Sequence, residues 1–348
     1  MSVTHRLALR ADRLEGTEGM RRVGFLVALM VSALFVACGG GGGDGDDASE
    51  SAPSRVFLSL GTAPPGGTFF VFGSALAETM NEFGGGFGWN TTAEATSGSQ
   101  ENIRRLDSGE LDFALSNAAI TYFAVRGTEG WEKAYQMRTV MTLAPNVALW
   151  ISPADSGVET MADLRGQRVG VGVAGAGFEY FIRPLLGAHG ITYDDITPLN
   201  ATQSGAVDLL ADGSAAAVFV GGAIPNPAIT QASASQEINF IPFDETAKQQ
   251  LIDEYLFFRP ATIPAETYRG QTEPFNGLDV GSMHLITMAN ADEELVYTVT
   301  KTLYENSASV VEKHGAGRAI VAANVVRDSG TEFHPGAIRF YQEIGIWP

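Results

Sequence analysis

Residues 56–83 read VFLSLGTAPPGGTFFVFGSALAETMNEF, and this stretch decides the fold. Val56–Leu60 is a short apolar run with strand character. Gly61-Thr62-Ala63-Pro64-Pro65-Gly66-Gly67-Thr68 is a loop, and Phe69–Phe83 carries apolar residues at helical spacing until Gly84, Gly85 and Gly86 stop it. A strand that feeds a Gly-rich loop opening a helix is the repeating unit of α/β layers with parallel sheets.

The same unit recurs along the chain. Thr91–Ala95 reads as a strand, followed by Ser97-Gly98-Ser99 and a helix over Gln100–Asp107. Leu111–Leu115 is a strand and Ile120–Val125 begins a helix. Val147–Ser152 and Arg168–Val173 are strands around a short helix at Thr160–Leu164. Ala174-Gly175-Ala176-Gly177 then opens a helix over Tyr180–Ala188, Val207–Leu210 is helical, and Ala216–Val220 is a strand. Residues 255–280, rich in proline, glycine and aromatics, read as a crossing between lobes, and Glu293–Lys313 as one long helix.

Three of these strand–loop–helix junctions share a chemistry. Helix N-termini present unpaired N–H groups and a partial positive charge, and glycines let a ligand approach them closely. In open α/β sheets such loops gather beyond the carboxyl ends of the strands. Together they predict a site for a small anion, a carboxylate above all. Trp150 is a further aromatic able to line it, and Arg104, Arg105, Arg126 and Arg183 are candidate partners for the charge. The run Gly170-Val171-Gly172-Val173-Ala174-Gly175 matches GxGxxG, but without a dedicated acidic partner it is a weak nucleotide signal.

Catalytic patterns are missing. The five histidines are scattered without metal spacing, and neither GxSxG nor SxxK occurs. No cofactor is called for, and the chain does not read as an enzyme. The net charge is −18. Residues 1–37 hold five arginines against three acids, so the remainder carries −20, which argues against nucleic acid as a partner.

The N-terminal region reads as an address. Arg21 and Arg22 precede the apolar run Val23–Ala37, which ends at Cys38, the only cysteine. A run of ~15 apolar residues is short for a spanning helix and suits an export signal. Cys38 then reads as a lipid anchor and residues 39–54, rich in Gly, Asp and Ser, as a flexible tether. Met20, directly before Arg21, offers an alternative start. Phe35 stands where such signals usually carry leucine.

The motifs resemble those of the TAXI family, the solute receptors of TRAP-type transporters. Gly61-Thr62 with Gly66-Gly67-Thr68-Phe69-Phe70 is similar to the family's GTGSTGGTYY, and Gly98 to Leu106 to its GSxENxRxL. Gly109–Leu115, Arg126–Thr128 and Asp163–Val169 follow in order. Ala174 to Glu179 resembles APGSGTE, and His334 to Glu343 resembles HPGAxRYYxE. The resemblance covers roughly residues 56–345. It implies an α/β, two-lobed type II periplasmic-binding-protein fold with a ligand cleft between lobes, placed here at 55–148 plus 275–348 (lobe 1) and 149–274 (lobe 2). It also implies capture of a small carboxylate, such as glutamate, glutamine or 2-oxoglutarate, and delivery to an ion-gradient-driven membrane permease.

By resemblance the ligand would meet Thr62, Gly67, Thr68 and Phe69 from the first loop and Ser97, Ser99 and Asn102 from the second. Asn117 and Ala174, Gly175, Ala176, Gly177 and Phe178 would complete the site. The departures make the pocket more apolar: Ala63-Pro64-Pro65 replaces Gly-Ser-Thr, Ala176 and Phe178 replace Ser and Thr, and Phe69 replaces Tyr. A missing hydroxyl costs a polar ligand ~1–3 kcal/mol, so the expected ligand is a carboxylate with an apolar or aromatic portion. Three other functions stay open on the sequence: a binding protein for an ATP-driven importer or a sensor kinase, a secreted enzyme on this fold, and a surface lipoprotein without ligand.

Overall fold

A computed structural model describes residues 55–348 other than Gly66. The export signal, the Cys38 anchor and the tether lie outside the described residues. The strands are β1 Val56–Gly61, β2 Trp89–Glu94, β3 Phe113–Asn117, β4 Met137–Thr142, β5 Val147–Pro153, β6 Arg168–Gly170, β7 Thr197–Leu199, β8 Ala217–Gly222, β9 Ile238–Ile241, β10 Phe258–Ile263, β11 Phe275–Val280 and β12 Met283–Met288. They form two sheets. The first runs β2-β1-β3-β12-β4, and the second runs β10-β11-β5-β8-β6-β7, with β9 pairing β5.

The two sheets share one design. In the first, β1, β2 and β3 are parallel and β12 is antiparallel beside β3. In the second, β6, β7 and β8 are parallel and β5 is antiparallel beside β8. Each parallel strand leads into a helix: α1 Thr68–Phe83, α2 Ser99–Asp107 and α3 Ala118–Arg126 in the first half, then α4 Glu179–Ala188 and α5 Gln203–Ala211 after β6 and β7. Central strands are buried on both faces, as parallel sheets covered by helices require. Along β5, Val147, Leu149 and Ile151 enter one apolar cluster while Ala148 and Trp150 enter another, following the two-residue period of a strand.

The chain passes between the sheets twice, from β4 to β5 at 143–146 and from β11 to β12 at 281–282. The boundary expected at 275 would put Phe275–Val280 in the first lobe, and that strand pairs with β10 and β5 in the second sheet. The segment expected to be a crossing, 255–280, instead builds the antiparallel pair β10–β11. Pro260 is tolerated there because β10 is an edge strand, where a missing N–H leaves no ladder bond unmade. The long helix expected at Glu293–Lys313 is broken at Asn306 into Glu293–Glu305 and Ser307–Lys313.

Candidate ligand cleft

A cavity of about 100 Å³ lies between the sheets, lined from both. The β1–α1 loop supplies Ala63, Pro64, Pro65, Gly67, Thr68 and Phe69. The β2–α2 loop supplies Ser97, Gly98 and Ser99, and the β3–α3 junction supplies Asn117 and Ile120. From the second sheet come Val173, Ala176, Phe178 and Phe181 around the start of α4, Ala201 to Ser204 before and within α5, and Gly221 on β8. These are the carboxyl ends of parallel strands, where α/β sheets bind ligands.

Of the residues predicted to meet a ligand, Gly67, Thr68, Phe69, Ser97, Ser99, Asn117, Ala176 and Phe178 line the cavity. Thr62, Asn102, Ala174, Gly175 and Gly177 do not. Each exception has a physical reason. Thr62 and Asn102 are fully buried. The Thr62 hydroxyl donates to the Glu94 carbonyl at 2.7 Å. The Asn102 amide donates to the carbonyls of Thr62 (2.7 Å) and Leu115 (2.8 Å), stapling the β1 loop to β3. Ala174 and Gly175 are exposed.

Gly177, with φ +96°, is where the lobes touch. A Cβ there would sit 2.8 Å from Ile120 Cδ1 and 3.1 Å from Gln100 Cγ, both carried by helices of the first sheet. Gly98, with φ +126°, meets Ala176 from the other side, a Cβ falling 3.3 Å from that methyl. Across the same boundary Gln100 Nε2 donates to the Tyr180 hydroxyl at 3.0 Å. The Tyr180 ring stacks on Trp131 and Phe123 at 5.6 and 5.9 Å. Burial holds the Tyr180 phenol above its usual range, with the Gln100 hydrogen bond opposing.

The polar groups of the cavity divide into those already engaged and those still available. Asn117 caps α3 through Oδ1, accepting from the N–H groups of Ala119 and Ile120, and its Nδ2 donates to the Gly281 carbonyl at 2.7 Å. Its amide is committed to structure although it borders the cavity. Ser99 Oγ accepts from the Asn117 N–H at 3.0 Å and keeps its own hydrogen to donate. Ser97 does not cap α2: Gly98 is the N-cap residue, and the Ser97 N–H donates to Glu101 at 2.8 Å. No side chain among the described residues caps α1 or α2, and their first residues, Gly67, Thr68, Gly98 and Ser99, line the cavity, which brings the partial positive charge of both helix starts to its wall.

Two contributions escaped the sequence. Asn146, on the first passage between sheets, lines the cavity, and its side chain forms no hydrogen bond among the described residues. The β7–α5 loop forms a fourth wall. There Thr202 caps α5 by accepting from the Gly205 N–H, and Gln203 is tied to the Gly221 carbonyl. Its signal was present in Thr202-Gln203-Ser204-Gly205, a capped helix start, but the three-residue strand before it contains Pro198 and does not read as β.

Among the described residues, no charged one lines the cavity. The candidate arginines are engaged elsewhere: Arg104 with Glu132, Arg105 with Glu94 and Glu110, Arg126 with the carbonyls of Tyr122 and Gly330, and Arg183 over the Tyr193 ring. Trp150 is wholly buried in the second sheet, edge-on to Phe219, and does not reach the cleft. Below the cleft the passages are pinned by Asp279, whose carboxylate accepts from the Asn146 N–H at 3.0 Å and from the Ser282 hydroxyl at 2.5 Å. Burial pushes Asp279 up to about 6 and the neighbouring His284, bonded to Thr121 at 2.9 Å, down to about 3.

Two α/β lobes of matching topology, joined by two passages and closed over a cavity at their strand ends, define a type II periplasmic-binding-protein architecture. The chain belongs to the NMT1-like family, whose model matches residues 60–345. A solved protein of Bordetella bronchiseptica RB50 shares the fold, with a TM-score of 0.51 at 11% identity over 84% of this chain and 90% of that one. Two others are similar at a TM-score of 0.48. They are the periplasmic aliphatic sulphonate binding protein SsuA of Escherichia coli (15% identity, 85% of this chain and 84% of that one) and the alkanesulfonate-binding protein SsuA of Xanthomonas axonopodis pv. citri bound to MOPS (17%, 84% and 92%).

Proposed function

We propose that this chain is an extracytoplasmic solute receptor that captures a small organic acid with an apolar body and releases it, chemically unchanged, to a membrane permease. One observation carries this proposal. Among the described residues, the interlobe cavity is walled by prolines, phenylalanines and aliphatic side chains, contains no charged side chain, and receives two helix N-termini that no side chain caps. At about 100 Å³ it is smaller than the ~150 Å³ apolar protein cavity that accepts benzene, so its size suits an acid of only a few carbons. A partly buried helix end offers up to ~2 kcal/mol to an anion. A hydroxyl hydrogen bond to a charged group adds ~1.5–3 kcal/mol. Two helix ends with Ser99 and Asn146 therefore approach the ~8 kcal/mol of micromolar binding once apolar contacts are included.

The ligand-binding residues in this account are Gly67, Thr68, Phe69, Ser97, Ser99, Asn146, Ala176 and Phe178. Lobe 1 is 55–146 plus 281–348, and lobe 2 is 147–280. The TAXI-like motifs favour a TRAP-type, ion-gradient-driven permease as the partner, and Cys38 with its tether would hold the receptor at the membrane surface. The alternative partner is an ATP-driven importer. Mass spectrometry of ligand carried through purification tests the receptor reading: a small monoacid is expected, and a modified product found after incubation would mean an enzyme. Receptor-dependent uptake into membrane vesicles of the source cells separates the partners, because a TRAP-type system stops when the ion gradient is collapsed and an importer stops when ATP is removed.

A further inference from the structure

A second cavity, about 510 Å³, adjoins the passages between the sheets. Ala144, Pro145 and Val147 border it, while Asn146 between them borders the ligand cleft, so the β4–β5 passage separates the two spaces. Three arginines reach it: Arg259 on β10 of the second sheet, and Arg318 and Arg327 from the C-terminal segment. That segment is held to the first sheet by the Thr142 hydroxyl donating to the Arg327 carbonyl at 2.8 Å. Among the described residues, Asp279 is the only acidic one lining the cavity.

The charge balance here is the reverse of the chain as a whole, which has 40 acidic against 22 basic residues. With so many carboxylates available, arginines on such a surface readily find acidic partners. Yet neither Arg259 nor Arg318 forms an ion pair among the described residues. Arg327 stands 3.7 Å from Asp279 and donates through Nη2 to the Ser282 hydroxyl, while its buried Nε has no hydrogen-bond partner among the described residues. Burial lowers the Arg327 pKa and the nearby Arg259 charge adds to that, against the opposing pull of Asp279, so the two cations are close enough to disfavour each other. A bound anion would relieve this repulsion.

From this geometry we infer that the cavity is a second ligand site, taking a small oxyanion with two or more negative charges, such as phosphate or a dicarboxylate. Arg259 and Arg318 offer guanidinium forks whose paired N–H donors match carboxylate or phosphate oxygens, while Arg327, already bonded to Ser282 and paired with Asp279, contributes its charge. Against the single Asp279 carboxylate they leave an excess of two positive charges, which a dianion balances. Because Arg259 and Arg318–Arg327 come from segments attached to different sheets, the anion bridges the two halves beside the passages. If the receptor reading above holds, its binding is linked to closure of the cleft, but the site itself does not depend on that reading.

The test is calorimetric and thermal-shift titration of the full chain with sodium phosphate, sulfate and succinate, each against sodium chloride at matched ionic strength. Saturable binding by at least one divalent anion is expected, and comparing the arms tells phosphate-type from carboxylate ligands. Arg259→Gln and Arg318→Gln, both at exposed positions, should each weaken it about tenfold or more, the scale of a charge-assisted hydrogen bond. Their melting temperatures in chloride should stay within a degree of the parent. Stabilisation no greater than that from chloride overturns the proposal, as does binding that survives in the double variant. Retention of an acidic peptide with no binding of any small anion overturns it as well and would assign the patch to a protein partner.

Discussion

Asn102→Ala separates a structural residue from a binding residue, because the sequence motif and the structure give it different roles. The side chain is fully buried and donates to the Thr62 and Leu115 carbonyls at 2.7 and 2.8 Å. Truncation removes both bonds. The Thr62 carbonyl keeps one donor, the Thr96 hydroxyl at 3.1 Å, while the Leu115 carbonyl loses the Asn102 bond. Two hydrogen bonds at ~1 kcal/mol each, plus the penalty for a buried acceptor left short, total about 2–4 kcal/mol. For a chain of this size each kcal/mol moves the melting temperature by ~2–4 °C, so the expected fall is about 5–15 °C by calorimetry. Ser99→Ala, which removes a hydroxyl on the cavity wall, should instead weaken ligand binding more than it lowers the apo melting temperature. The reasoning is refuted if Asn102→Ala melts within a degree of the parent and loses ligand affinity.

Two further perturbations test the closure of the lobes and the buried groups beneath them. Gly177→Val places a branched side chain at φ +96°, against Ile120 and Gln100 of the facing lobe. It should raise the radius of gyration in small-angle scattering and weaken ligand binding by tenfold or more, whereas unchanged scattering and affinity would mean the contact does not govern closure. His284 binds its proton less tightly in the folded chain than unfolded, so its contribution to stability is present above pH ~6.5 and is lost as pH falls towards about 3. Asp279, raised to about 6, has the opposite slope: its contribution is full below pH ~4 and fades as pH rises through about 6. His284→Gln should therefore flatten, and Asp279→Asn steepen, the fall in melting temperature between pH 7.5 and 5. Equal slopes in the two variants would contradict that assignment.

Much of the fold was legible because its units are local. The run from Val56 to Phe83 shows strand, glycine loop and helix in order, and α1 begins one residue before its predicted start. The β6–α4 unit was equally plain. What failed to show depended on neighbours far away in sequence. Pro260 disguises β10 because a single sequence does not reveal that the strand lies at a sheet edge. Burial was the other blind spot. Asn102 and Thr62 sit in motifs that look ligand-directed, and only packing reveals that both point into the protein. Trp150 was offered to the cleft and lies in a core. Asn146 carries no local signature at all, since its place on the cavity wall follows from where the chain passes between sheets. The apolar character of the site, by contrast, was readable from Pro64, Pro65, Ala176 and Phe178 before any geometry was known.

Titration calorimetry over a panel of acids tests the central claim most directly. On the proposed reading, helix N-termini supply the positive charge and no charged side chain among the described residues lines the wall, so one carboxylate with an apolar body fits and a second charge finds no partner. Measured on the Arg259→Gln/Arg318→Gln double variant, so that the second cavity does not contribute, small aliphatic monocarboxylates should bind at least about tenfold more tightly than glutamate or 2-oxoglutarate, with the negative heat-capacity change of apolar burial. Micromolar binding of glutamate or 2-oxoglutarate, with none by the apolar acids, would contradict the account.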